Sequence, residues 1–176
     1  MFNPVAGLSR PCSRALNTLD QLQITGQKVF AYGGSDAHGM RIKVGRIPVR
    51  VSPYYLCFKL INMHILCQRK LSGDLQWDKN QIYEALREGR SWIACDYYQP
   101  SNGFRFELGN DIETWSVGSS VKYSASLKFS VKTPAPARVI LLHNGRYREA
   151  SQGKSHFFTN LQPGVYRVEA YLKDKF

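Results

Sequence analysis

Asp36 and His38 sit one residue apart in AYGGSDAHGM, residues 31–40, between the pair Gly33 and Gly34 and the single Gly39. A carboxylate and an imidazole at that spacing can both reach one cation from an extended or tightly turned loop, and the glycines let backbone and substrate approach closely. Spacing alone also admits a plainer role, in which Asp36 caps the next segment and His38 is an ordinary loop side chain. Arg41, Lys43 and Arg46 follow the pair. They could steer or hold an anionic substrate, or form a solvated basic edge. No residue stands out as a catalytic acid, base or nucleophile.

The elements around this loop read as α/β. Ala15, Leu16, Leu19 and Leu22 form a helical stripe that Gly26 would cap, and KVFAY at 28–32 reads as a short strand leading into the loop. Helix, turn, strand and polar loop in that order suit an α/β barrel or an open α/β sheet, whose sites lie on the loops after the strands. IPVRV at 47–51 reads as a second short strand. Leu56, Leu60, Met63 and Leu66 recur at helical spacing, which places His64 in a helix as a core or interface histidine. Asp78 and Gln81 match a capping box before a helix that Gly89 closes, and SWIACDYY at 91–98 reads as a buried strand. Arg90 could face the site or answer the helix dipole.

QPSNG at 99–103 marks a change of style. Beyond it lie FRFEL, IETWSV, ASLKFSV, RVILLHN, YREA, SHFFTN and GVYRVEAYL, alternating segments set apart by turn residues, with Asn144-Gly145 the sharpest hairpin signal. This pattern predicts an antiparallel β-sandwich of six or seven strands. His143 and His156 fall in it as structural or exposed side chains. LQPGVY at 161–166 looks like the tyrosine corner of immunoglobulin-like sandwiches, with Tyr166 bonding back to the preceding corner.

Composition narrows the function classes. The formal net charge is +11 over 176 residues, but it divides into about +3 for 1–45, +3 for 46–100 and +5 for the remainder. No basic arm or basic-aromatic face emerges, which argues against nucleic acid as a primary partner. The longest apolar run, 54–67, is too short to span a bilayer, so no membrane partner is expected. Cys12, Cys57, Cys67 and Cys95 form no C-x-x-C pair, which suggests reduced thiols and a cytoplasmic protein, with tertiary pairing to Cys12 or Cys95 left open. The basic N-terminus lacks a secretory signal's apolar core and reads as structural lead-in.

GGSDAHG after an apolar strand, then YYLCFKLINMHIL, then EALREGRSW with an acidic strand end, then a sandwich, resembles the C-terminal part of the PHP family. These are metal-dependent phosphoesterases named after polymerase and histidinol phosphatase domains. The resemblance implies an α+β chain: residues 1–100 as the C-terminal part of a β/α barrel, and 101–176 as an immunoglobulin-like β-sandwich. It implies Asp36 and His38 as metal ligands, two or three zinc, manganese or iron ions, and hydrolysis of a phosphate ester, an anionic substrate for which charge and position make Arg41 and Lys43 the binding candidates. The family's early His-x-His is absent from this chain, and two ligands do not complete a hydrolytic site. The expectation is therefore an incomplete phosphoesterase site, with self-association or a partner chain supplying the missing barrel half. The alternative is a non-catalytic sandwich that binds a ligand, with the α/β segment as support.

Overall fold

The computed structural model describes residues 11–51 and 53–172. Of the N-terminal stretch 1–17 read as lead-in, residues 1–10 therefore fall outside the described residues. Helix α1, Ser13–Ile24, forms as its stripe predicts and ends at Gly26, whose φ of 86° closes the last turn. Its half-buried Leu16, Leu19 and Leu22 face the protein together with buried Asp20.

KVFAY does not form a strand. A strand needs a neighbour to accept its ladder, and this segment instead makes local bonds: Val29 N–H to the Gln27 carbonyl, and Gln23 Nε2 to the Val29 carbonyl. Strand β1, Met40–Val44, then pairs with β2, Ile47–Val51, around Gly45 at φ 63°. IPVRV is a strand as expected; its partner MRIKV, which alternates apolar and basic residues, is a second strand that was not expected.

The helical stripe at 56–66 is also corrected. Helix α2 covers only Tyr54–Leu60, and Asn62–Ile65 forms strand β3, so Met63, His64 and Leu66 are not helical. Pairing decides this: β3 runs antiparallel to β4, Ser91–Ala94, with His64 opposite Trp92. That strand is half the length expected for SWIACDYY.

Helix α3, Leu75–Arg87, lies between them. Its N-cap is Asp74, which accepts from Trp77 N–H at 2.7 Å, so Asp78 and Gln81 are not the capping pair. Asp78 instead accepts from the backbone N–H groups of Ser72 and Gly73 and from Ser72 Oγ, and the Ser72 backbone bond leads in holding its carboxyl below the usual range. Gln81 accepts from Arg69 N–H. Gly89, at φ 70°, closes the helix as expected, and a Cβ there would strike the Phe30 ring.

The remaining strands are β5, Arg105–Gly109; β6, Thr114–Ser116; β7, Lys128–His143; β8, Arg146–Phe158; and β9, Tyr166–Tyr171. They form one five-stranded antiparallel sheet in the order β6-β5-β7-β8, with β9 also on β7. The expected six or seven segments merge because ASLKFSV and RVILLHN belong largely to one strand, as do YREA and SHFFTN. Pro134 and Pro136 fall where the β7–β8 register shifts between Lys132 and Ala137, a place where missing amide donors are tolerated. Before that irregularity β7 pairs with β5, and after it with β9.

Asn144 and Gly145, at φ 49° and 71°, make the expected two-residue hairpin turn. The core beneath comprises Leu127, Phe129, Val131, Val139, Leu141, Phe158 and Leu161. Tyr166 acts as the corner predicted from LQPGVY: its hydroxyl donates to the Gln162 carbonyl and accepts from Gln162 N–H, both at 2.8 Å. The whole is mixed α+β and mostly antiparallel, with three helices and no closed barrel among the described residues. No helix among them is long and apolar enough to cross a membrane.

Candidate functional site

The loop at 27–39 is pinned at several points. Tyr32 Oη donates to the Leu86 carbonyl at 2.7 Å, and Gly33 N–H meets the Met63 sulfur at 3.2 Å. Gly33 is required by space, because a Cβ there would lie 2.8 Å from an Ile93 methyl and 3.1 Å from one of Ile61. At the far end Tyr54 Oη donates to the His38 carbonyl at 3.2 Å, and Gly39, at φ 58°, lets the chain pass the Tyr54 ring. The loop is thus held against β3, β4 and the start of α2.

Between those anchors Asp36 takes a left-handed conformation, φ 45°, which aspartate tolerates better than most residues. The turn brings His38 Nδ1 within 2.8 Å of the Asp36 carbonyl and 3.6 Å of Asp36 Oδ1. With Nδ1–H donated to that carbonyl, Nε2 is the nitrogen left to bind, the arrangement by which metal-binding histidines are oriented. Both side chains face solvent, at 92% exposure for Asp36 and 58% for His38. The pair can hold one side of a cation. Among the described residues no cluster of three or more His, Cys, Asp or Glu could close around one.

Arg41 and Lys43 lie on β1, where Arg41 pairs across the hairpin with Arg50, and Lys43 with Pro48. Both are exposed. No described hydrogen bond or ion pair ties them to Asp36 or His38. Arg90 ion-pairs with Glu88 and, at 3.9 Å, with Glu84 at the end of α3, as an arginine at a helix end does.

A polar cluster absent from the sequence reading lies at the end of the β3–β4 ribbon. His64 Nε2 is 2.7 Å from Asp96 Oδ2 and 2.9 Å from Ser101 Oγ, and its ring stacks on Trp92 at 5.0 Å. Asn62 Nδ2 donates to Asp96 Oδ2, Ser101 N–H to Asp96 Oδ1, and Trp92 Nε1 to Ser101 Oγ. Burial would raise the Asp96 pKa, but the bonds from Ser101 and His64, and the imidazole's charge, hold it below the usual range. Serine, histidine and aspartate here do not make a nucleophilic triad. A triad uses the two ring nitrogens separately, one toward the serine and one toward the carboxylate, whereas here both partners address Nε2. The cluster fastens residues 96–101 to β3. Its only sequence signal is alternation, Asn62 and His64 against Trp92 and Asp96, which a helical reading of 56–66 conceals.

No protein-family model, curated protein or solved structure matches the chain.

The four cysteines are free thiols, and burial leads in pushing the Cys95 thiol pKa up, which makes it a poor nucleophile. A cavity of about 940 Å³ opens between α1, residues 26–34 and the sheet, with Leu16, Leu19, Phe30, Phe106, Phe129 and Tyr166 among its walls. Asp36 and His38 do not line it. The cavity and the donor pair are separate features.

Proposed function

We propose that this chain contributes the Asp36–His38 arm of a metal-dependent phosphoesterase centre of the PHP type, incomplete in the described residues and completed by donors from elsewhere. The observation that carries the reading is the loop's internal bond: the Asp36 carbonyl fixes His38 Nδ1 while Nε2 and the Asp36 carboxylate remain open on one loop. A bound zinc, manganese or iron ion would supply Lewis acidity toward a phosphate oxygen and activate water. The chain's own part is to orient two donors, and to place the exposed charges of Arg41 and Lys43 three and five residues beyond His38 for an anionic ester. A second copy or a partner chain carrying the barrel's other ligands would complete the centre.

The same reading takes β5–β9 as an immunoglobulin-like sandwich behind the catalytic part. The change of β7 partner at its irregularity and the Tyr166 corner support it. The alternative of a ligand-binding sandwich finds little support on the outer face of β8, where exposed Tyr147 and Phe157 stand at opposite ends of the strand with Ala150, Gln152 and Ser155 between them.

Hydrolysis of p-nitrophenyl phosphate with added zinc or manganese tests the proposal. The chain alone is expected to give no turnover above free metal. Metal-dependent turnover by the chain alone, lost in Asp36→Ala, would mean that the site is complete and the proposal of an incomplete arm is wrong.

A further inference from the structure

The β1–β2 hairpin is two-faced in a way unrelated to the metal donors. Met40 opposite Val51, Ile42 opposite Val49 and Val44 opposite Ile47 put six aliphatic side chains on one face. Arg41 opposite Arg50, and Lys43 opposite Pro48, occupy the other face, and Arg46 sits in the turn. Apart from half-buried Val51, every one of these residues is exposed, Val44 at 61% and Ile47 at 67%. Residues 40–51 hold four basic side chains and no acidic one. Tyr54, Tyr55 and Phe58 of α2, also exposed, follow directly in the chain.

We infer that this hairpin docks on an anionic lipid surface. Charge decides against a second copy, which would bring four cations against four, and apolarity decides against nucleic acid, which offers no surface to a row of aliphatic side chains. An anionic bilayer answers both faces. With the aliphatic face seated about 5–10 Å into the headgroup–acyl boundary, the basic face lies within the headgroup layer, roughly 5–8 Å thick on each side of the bilayer. Long Arg and Lys stems can then reach lipid phosphates while their apolar portions stay buried. The tyrosines have the amphipathic rings that favour that depth.

Composition concealed this surface and led to the expectation of no membrane partner. The hairpin straddles the two segments over which charge was summed, and its faces exist only once the cross-strand register is known. The attachment is peripheral and needs no spanning helix.

Co-sedimentation of the full chain with phosphatidylcholine vesicles, and with mixed phosphatidylcholine–phosphatidylglycerol vesicles, tests it. Binding is expected on the mixed vesicles only, with release at high salt. Replacing Arg41, Lys43 and Arg50 together by Gln should weaken partitioning about a hundredfold. The pair Ile42→Thr and Val49→Thr, which keeps strand propensity, should abolish binding. Three results would overturn the inference: no vesicle binding, vesicle binding that neither set of changes alters, or a concentration-dependent dimer that the Thr pair dissolves while vesicles remain unbound. Capture of duplex DNA without vesicle binding would likewise replace the lipid with nucleic acid.

Discussion

Residues 105–171 and residues 11–100 solve the same folding problem with unequal success. In the former, a 16-residue strand is flanked on both edges, its inward residues alternate without a break from Phe129 to Leu141, and Val139 and Leu141 are completely buried. In the latter, three short helices and two separate two-stranded ribbons leave Met40, Ile42, Val44, Ile47, Tyr54, Tyr55 and Phe58 in solvent. The first region has its pairing partners within the chain. The second presents apolar surface and the Asp36–His38 pair outward, and contiguous exposed apolar surface marks interaction sites.

Core truncation should separate the two regions most strongly. Leu141→Ala should lower unfolding free energy by about 2–5 kcal/mol, whereas Ile47→Ala at the hairpin tip should change it by less than about 0.5 kcal/mol. Urea unfolding of the two variants measures both. Comparable losses would mean that the hairpin is packed in solution and the contrast is false.

The link between the regions ranks close behind. Arg167 reaches Asp20 with Nε at 3.1 Å and Nη2 at 2.9 Å, and it also pairs with Glu169, whose Oε2 accepts from Tyr171 Oη. Burial works against the Arg167 charge, but the two carboxylates more than offset it and raise its pKa. Arg167→Met strands two largely buried carboxylates and should destabilise by about 3–5 kcal/mol. Asp20→Asn should be milder, because Glu169 remains. Proteolysis near α1 should quicken in both variants if this pair seats the helix.

Tyr166→Phe tests the corner. It removes the bonds to both Gln162 backbone groups and the Arg148 contact at 3.0 Å, and a loss of about 0.5–1.5 kcal/mol follows, since water can reach the exposed Gln162 backbone. The same urea titration reads it.

The smallest effect is a pH dependence, whose part nearest neutrality arises in the sheet region. Burial leads in pushing the His156 pKa down, the neighbouring Gly153 carbonyl pulls partly the other way, and neither ring nitrogen closes a hydrogen bond. The folded state therefore keeps His156 neutral while the unfolded chain takes up its proton below about pH 6.5. The unfolded state then binds more protons, so stability falls as pH drops through and below that value. His156→Leu should flatten the midpoint between pH 7 and 5. Asp96, also lowered, adds a separate loss at more acidic pH, starting near its unfolded value of about 3.9 and continuing down to its folded value.

Legibility followed the same divide. In the sheet region strand alternation, the Asn144-Gly145 turn and the Tyr166 corner were all readable, because each depends on residues close together in the chain. Strand number was over-counted, since nothing local says that β7 continues through Pro134 and Pro136. In the first region α1 and the end of α3 were legible from stripe and glycine. KVFAY and the 56–66 stripe were misread because short apolar runs fit either period, and pairing with β4 settled Asn62–Ile65 as a strand. The spacing of Asp36 and His38 was visible at once. The left-handed turn that points Nε2 outward was not, because it arises from anchors at Gly33, Gly39 and Tyr54 that meet only in the fold.

The proposed function requires that Asp36 and His38 be cation donors whose companion donors lie elsewhere. Titrating zinc into the full chain while following the His38 ring nitrogens by NMR tests it most directly. Weak, saturable binding that shifts Nε2 and disappears in Asp36→Ala is the expected result. An unperturbed ring, or shifts indifferent to Asp36, would contradict the account.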